Sequence, residues 1–171
     1  MALLEKKNEI GFRGLMPFLL SLLLAIITVL PYKIPYFGNL MPFLTLIAVY
    51  YWTVVRPELL PVSAVFIIGL LQDILGGGPL GMMALLLLLV RQFVLLQGRN
   101  FLERDFLFNW LIFVIISLVF GFSSWAVASI YYKTVLNYWH AVGQSLLTIA
   151  MFPVITWGFG KVRKRLKGDK R

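Results

Sequence analysis

Cysteine is absent from this sequence of 171 residues, and histidine occurs only once, as His140. The absence of cysteine excludes disulfide bonds, thiol catalysis and cysteine-ligated metal sites. Charged residues are also scarce, because they make up 13% of the chain against 60% for hydrophobic residues. A soluble domain of this size could not bury so many apolar side chains, so the composition predicts a membrane protein.

The residue patterns that carry catalysis or ligand binding are missing as well. One histidine and one acid within the apolar runs cannot form a Ser-His-Asp, paired-carboxylate or HExxH arrangement. The stretch "GGGP" is not followed by Lys-Ser or Lys-Thr, which excludes a phosphate-binding loop. His140 has no second ligand near it in the sequence, so we interpret it as an interfacial side chain. We therefore expect no enzyme activity, no cofactor and no metal.

Six apolar runs nearly fill the chain and predict a single all-α, polytopic membrane domain. A helix needs about 20 apolar residues to cross the hydrocarbon core of a bilayer. Pairs of prolines in 31–39 and 56–61 predict tight connections between antiparallel helices. The predicted spans are 12–30, 40–55, 59–75, 79–97, 108–131 and 139–160, followed by a basic tail, 161–171.

Basic residues are distributed unevenly around these runs and predict the orientation of the chain. Cations near span ends are retained on the cytoplasmic side. Six spans with both termini in the cytoplasm place all of the 16 cations inside except Lys33 and Lys133. The net charge of +9 then reflects topology and attraction to anionic lipid or an acidic partner, at about 1 kcal/mol per basic residue. Because no folded basic domain presents these cations, we expect no binding of nucleic acid.

Asp73 is the only acid within a predicted span, in the stretch "GLLQDILGGGPLG" of residues 69–81. An uncompensated charge at the bilayer centre costs about 2.5 kcal/mol or more. The carboxylate either reaches the outer interface or bonds to the free N–H groups that begin the fourth span, or it meets a partner helix or lines a cavity. We favour the structural explanation, because three glycines at 76–78 predict a helix-to-helix turn and Pro79 suits the first turn of the next helix.

Arg91 is the nearest candidate partner for this acid along the sequence. It lies 12 residues beyond Pro79, which corresponds to about 18 Å along a helix. We therefore expect that Arg91 does not meet Asp73. Its side chain is expected to extend towards the cytoplasmic surface, near Glu58.

The residues around Asp73 resemble those of a known family. The sequence is similar to the "GLLxD, two or three small residues, then PLG" signature of the rod shape-determining protein MreD at Gly69, Leu70, Leu71, Asp73, Gly76, Pro79, Leu80 and Gly81. The small size, the basic termini and the "RP" before the third span fit the same family. The candidate structural or partner-contact residues are Arg56, Pro57, Gly69, Asp73, Gly76, Gly77, Gly78, Pro79 and Gly81.

The resemblance implies a non-enzymatic, multi-pass component of the bacterial inner membrane that takes part in cell elongation. The resemblance implies that members of this family are partners of the bitopic protein MreC. It also implies that they act with the actin-like MreB, the SEDS glycosyltransferase RodA and a class B transpeptidase. Their implied fold is similar to that of the six-helix substrate-binding subunits of energy-coupling-factor vitamin transporters. The resemblance therefore supports a scaffold that binds an MreC-like partner through its helices, and leaves a small-solute-binding or transport subunit as the alternative.

Polar and small residues separate these two hypotheses. A transport subunit needs several inward-facing polar side chains in its outer half, and the sequence offers only Gln72, Asp73, Asn137, His140 and Gln144. Such subunits also use a small-residue face on the first span to meet a coupling subunit. Ser21 with Ala25, and Ser117 with Gly121, have the four-residue spacing that lets helices approach closely. Because the polar set is small, we favour the scaffold.

The cation distribution generates a first prediction, on topology. Reporter fusions at Lys170 and Asn39 should report cytoplasmic and periplasmic locations, respectively, because the positive charges retain both termini inside. A periplasmic signal from the fusion at Lys170 would contradict the six-span arrangement.

Overall fold

The computed structural model describes residues 2–29, 41–97 and 106–167, with side chains described for 15–29, 41–97 and 106–161. Within these ranges the chain forms α-helices and no strand, which confirms the predicted all-α class. The connection at 31–39, residues 98–105 and residues 168–171 of the tail lie outside the described residues. The helices are α1 (Ala2–Val29), α2 (Leu44–Val55), α3 (Val62–Gly76), α4 (Met82–Leu96), α5 (Phe106–Tyr131) and α6 (Tyr138–Lys167), with a 3₁₀ turn at Pro57–Leu59.

Helix α2 forms the core of the fold. It is apolar on nearly every side, and it packs against α1, α4 and α6. A helix that is hydrophobic all round is stable where other helices surround it. Side-chain hydrogen bonds fix it in place. The backbone N–H of Phe43 donates to Oγ1 of Thr148 in α6 at 2.8 Å, and the hydroxyl of Tyr50 donates to the carbonyl of Asn109 in α5 at 3.0 Å.

The other helices are arranged around α2 in two groups. Helices α3 and α4 pack against each other, and α1 lies against α3 as well as α2. Helices α5 and α6 form a second antiparallel pair, which α4 contacts through α5. The short 3₁₀ turn after α2 makes the connection at 56–61 tight, as predicted. Helix α3, which follows this turn, packs mainly against α1 and α4.

The α5–α6 pair approaches closely at Ser117 and Gly121, where the four-residue spacing of small residues permits such an approach. A Cβ atom added at Gly121 would lie against Oγ of Ser145, and 3.3 Å from the carbonyl oxygen of Ala141. The hydroxyl of Ser145 donates to the carbonyl of Ser117 at 3.2 Å, and the hydroxyl of Ser117 donates to the carbonyl of Ser145 at 3.4 Å. These small residues therefore join two helices of the same chain.

Two of the described helices are long and apolar enough to cross a membrane by length and composition. They are Phe106–Tyr131 and the part of α6 from Tyr138 to Lys161. The shorter apolar segments are Leu15–Val29, Leu44–Val55, Val62–Gly76 and Met82–Leu96. A 15-residue helix is about 22 Å long, against about 30 Å for the hydrocarbon core. Each predicted span overlaps one helix, and membrane crossing by the four short ones stays a prediction.

Several helices begin or end at other residues than predicted. Short turns replace the first residues of some predicted spans, and further helical residues extend others. Helices α3 and α4 begin at Val62 and Met82, each three residues later than predicted. The 3₁₀ turn occupies the place where the third span was expected to begin. Helix α1 already begins at Ala2, and α6 continues through the predicted tail to Lys167.

Candidate functional site

The stretch that carries the family signature forms a helical hairpin, in which α3 and α4 are joined by residues 77–81. Gly77 ends α3 in the left-handed conformation (φ 67°), which a residue without a Cβ adopts without strain. Gly81 is also left-handed (φ 88°, ψ −7°), close to the geometry of the third position of a type II turn. The N–H of Met82 closes that turn by donating to the carbonyl of Pro79 at 3.1 Å.

Asp73 is the polar centre of this hairpin. Its side chain is 3% exposed, and its carboxylate accepts three backbone hydrogen bonds from the beginning of α4. The N–H of Gly81 donates to Oδ2 at 2.9 Å, the N–H of Met83 donates to Oδ1 at 3.0 Å, and the N–H of Ala84 donates to Oδ2 at 3.4 Å. The positive end of the helix dipole also faces the carboxylate. Asp73 therefore caps α4 from α3, as the structural explanation predicted.

Gly69 permits the close packing that this cap requires. It lies one turn before Asp73 in α3 and faces Ala84, so a Cβ atom added at Gly69 would come within 2.7 Å of the backbone nitrogen of Ala84. No real Cβ atom fits at that distance, so a larger residue would push the two helices apart. The glycine and the acid thus act together: one sets the separation of the helices and the other satisfies the exposed N–H groups.

The opposite end of the hairpin is held by Arg91. Its Nε–H donates to the carbonyl of Leu60 at 3.0 Å, just before α3 begins. The side chain is only 8% exposed, so the expected extension of Arg91 towards the surface is wrong. Leu60 lies between the 3₁₀ turn and the beginning of α3. As expected, Arg91 does not reach Asp73.

Arg56 and Pro57 form the corner that leads into this end of the hairpin. Arg56 ends α2, where its N–H donates to the carbonyl of Trp52 at 2.8 Å, and its own side chain is exposed. Pro57 begins the 3₁₀ turn, a position where the missing N–H leaves no donor unsatisfied. The two residues thus shape a turn, and the exposed guanidinium of Arg56 stays accessible from outside the bundle.

The turn glycines and Pro79 do not all lie where the sequence predicted, which was a turn at 76–78 with Pro79 in the first turn of the next helix. Among the glycines at 76–78, Gly77 alone has a positive φ in the described chain, and the second left-handed glycine of the hairpin is Gly81. Gly76 is the last helical residue of α3, and Gly78 has open space around it. Pro79 lies before α4 rather than in its first turn, because a turn from Pro79 to Met82 precedes the helix and Gly81 is the N-cap residue.

The polar residues that a solute site would require are divided between α3, which contains Gln72 and Asp73, and the beginning of α6. Gln72 is buried beside Asp73 in the chain, whereas Asn137 and His140 are exposed near the α5–α6 turn. Asn137 accepts a hydrogen bond from the N–H of Trp139 at 3.1 Å, and the carbonyl of Gln144 accepts from Thr148 at 2.6 Å. The side chain of Asn137 and the backbone of Gln144 therefore take part in local hydrogen bonds at the α5–α6 turn and within α6.

The small-residue face of α1 is also used internally. Ser21 and Ala25 are 0% and 2% exposed, because α1 packs against α2 and α3. The hydroxyl of Ser21 donates to the carbonyl of Pro17 within its own helix at 2.7 Å. This face is therefore not available to another subunit in this arrangement.

Comparison with known proteins identifies the family that the signature suggested. The family model of rod shape-determining protein MreD matches residues 8–162, nearly the whole chain and all of the α3–α4 hairpin. No curated protein matches the chain, and no solved structure does.

The cap generates a prediction on Asp73. Asp73→Leu removes both carboxylate oxygens, which accept the three backbone hydrogen bonds, and should lower the free energy of unfolding by about 1–3 kcal/mol. Asp73→Asn keeps one acceptor oxygen and should be tolerated with a smaller loss. Melting curves in detergent measure the order wild type, Asn, Leu. The matched control is Gln72→Leu, because Oε1 of the neighbouring, buried Gln72 has no partner among the described residues. Equal losses for the two leucine variants would contradict the cap.

The two left-handed glycines generate a separate prediction. Gly77→Ala and Gly81→Ala should each cost about 1–2 kcal/mol, because L-residues are strained at positive φ. Gly76→Ala is the control, since Gly76 is helical and has no atom within 4 Å of an added Cβ. Thermal unfolding of the three variants in detergent should show losses at 77 and 81 only. A loss at Gly76 as large as at Gly77 would refute the conformational explanation.

Proposed function

The chain belongs to the MreD family of rod shape-determining proteins, and from this premise we propose that it is a non-enzymatic scaffold of the bacterial cell-elongation machinery. It lies in the inner membrane and binds an MreC-like bitopic protein through its transmembrane helices. MreB, RodA and a class B transpeptidase join the assembly directly or through that partner. The observation that carries the proposal is that the α3–α4 hairpin keeps its two ionisable groups, Asp73 and Arg91, internal and directs large apolar side chains outward.

The outward side chains form continuous stripes along both helices of the hairpin. Residues separated by about four positions lie on one face of a helix. Exposed fractions between 45% and 59% occur at Phe66, Ile67, Ile74, Leu85, Leu89 and Phe93. Neither stripe carries an ionisable group, so a binding partner would meet them by shape and van der Waals packing rather than by charge. A single transmembrane helix offers a surface of that kind.

The length of α3 and α4 explains why this face would prefer protein to lipid. Each helix has 15 residues, or about 22 Å, which is shorter than the hydrocarbon core of about 30 Å. A helix shorter than the bilayer must thin the lipid around it or associate with other helices. Helix α5 has 26 residues, or about 39 Å, and is long enough to cross the hydrocarbon core without thinning the lipid around it. The short pair is therefore the better candidate for the partner interface.

The proposed arrangement includes six membrane crossings with both termini in the cytoplasm. In this topology the glycine turn faces the periplasm, and Arg56 and Arg91 lie at the cytoplasmic end of the hairpin. The basic end of α6 lies on the same side. The concentration of cations on one side supports this orientation.

A matched pair of substitutions tests the interface. Ile67→Trp adds bulk to the outward face of α3, where Ile67 is 47% exposed, and should reduce recovery of the MreC-like partner severalfold in copurification. Ile115→Trp makes the same change on α5, where Ile115 is 62% exposed, and should leave recovery unchanged. Melting curves of both variants alone should match the wild type, because neither side chain is buried in the chain.

Two results would contradict the proposal. The first is equal recovery of the partner by both variants and the wild type, which would exclude the α3 face. The second is copurification of a coupling ATPase in place of a bitopic protein, which would favour the transport subunit.

A further inference from the structure

Helix α6 is longer than a membrane requires. It has 30 residues and ends at Lys167, so it is about 45 Å long. Its apolar part, Tyr138–Lys161, has 24 residues and already suffices to cross the hydrocarbon core. The helix therefore continues for more than one turn beyond the point at which the apolar sequence ends.

An exposed aromatic and cationic pair marks this point. Trp157 is 65% exposed, and Nζ of Lys161 lies 3.4 Å from the centre of its ring. Tryptophan concentrates at the boundary between hydrocarbon and headgroups, because its ring is apolar and its N–H is polar. A lysine one turn further along the helix places its ammonium group among the headgroups. The pair thus sets the depth at which α6 leaves the apolar layer.

The helical extension beyond this pair is strongly basic. Cations occupy positions 161, 163, 164, 165 and 167, and no acid occurs among residues 161–167. At 100° per residue, these positions are spread around the circumference of the helix rather than along one stripe. A groove on an acidic protein contacts one face of a helix. Lipid headgroups, in contrast, surround a helix on every side.

We propose that residues 157–167 at the end of α6 bind anionic phospholipid headgroups. The ring of Trp157 lies at the hydrocarbon boundary and supports Lys161, and the cations that follow attract the phosphate groups of the surrounding lipid. This binding holds α6 at a fixed depth and is independent of the proposed partner interface on α3 and α4. It also gives the excess of basic residues in this segment a role beyond setting topology.

Native mass spectrometry of the full chain in non-ionic detergent tests the proposal. Phosphatidylglycerol and phosphatidylcholine with identical acyl chains are titrated in parallel, and the dissociation constant of the first bound lipid is measured for each. Since each surface cation strengthens binding to an anionic lipid surface about fivefold, wild type should prefer phosphatidylglycerol. Replacing the five cations at 161, 163, 164, 165 and 167 with glutamine should weaken that lipid at least tenfold and leave phosphatidylcholine unchanged.

A second cation provides the control. Lys133→Gln removes a positive charge at the α5–α6 turn, at the other end of α6, and should leave the preference intact. Melting curves should be unchanged for the five-glutamine variant, because the last described buried residue of α6 is Phe159. Full retention of the phosphatidylglycerol preference in this variant overturns the proposal. Retention of phosphatidylglycerol binding together with loss of a copurifying protein also overturns the proposal, because that result would assign the segment to an acidic protein partner.

Discussion

The hydrogen bonds between the carboxylate of Asp73 and the beginning of α4 are the interaction on which the hairpin depends. Unsatisfied backbone N–H groups cost several kcal/mol in hydrocarbon, and a lone carboxylate costs about 2.5 kcal/mol or more. Each group removes the cost of the other when they meet at 2.9–3.4 Å. That contact requires α3 and α4 to lie close together, which Gly69 allows, and requires a turn that aims the N–H groups backwards, which Gly81 provides.

The same constraint organises the far end of the hairpin. Two helices fixed at one end still diverge unless something holds the other, and Arg91 supplies that hold by donating to the carbonyl of Leu60. Arg91 lies on α4 and Leu60 precedes α3, so the bond closes the pair at its base. The hairpin is thus fixed by a buried acid at the turn and a buried base at the opening, each paired with backbone atoms. Neither contact involves the apolar outer faces of the hairpin.

The sequence predicted those parts of the structure that depend on local chemistry. Apolar runs located the six described helices, the four-residue spacing of Ser117 and Gly121 permitted a close contact, and the cost of a buried charge favoured a structural role for Asp73 such as the cap. Features that depend on tertiary position were missed. Nothing local shows that Arg91 meets a carbonyl of another segment, or that Thr148 and Tyr50 fix α2, because their acceptors and donors lie 31 to 105 residues away. The left-handed conformations of Gly77 and Gly81 depend on the direction in which α4 leaves the turn. Several positions of a glycine-rich sequence can adopt such a conformation, so the sequence does not show which of them do.

A rigid hairpin has a particular value in a membrane, because lipid is as apolar as the side chains that face it. Association of helices in hydrocarbon depends on how well their surfaces fit rather than on the exclusion of water. A fit of this kind persists only if the two helices keep a constant separation and rotation. Asp73 and Gly69 determine both, although neither is directed outward. In the proposed complex, the acid would control binding of the partner indirectly, by fixing the spacing of the stripes that contain Ile67 and Leu89. Under this proposal, Asp73 positions a surface, and a charge inside an apolar helix gives that apolar surface its specificity.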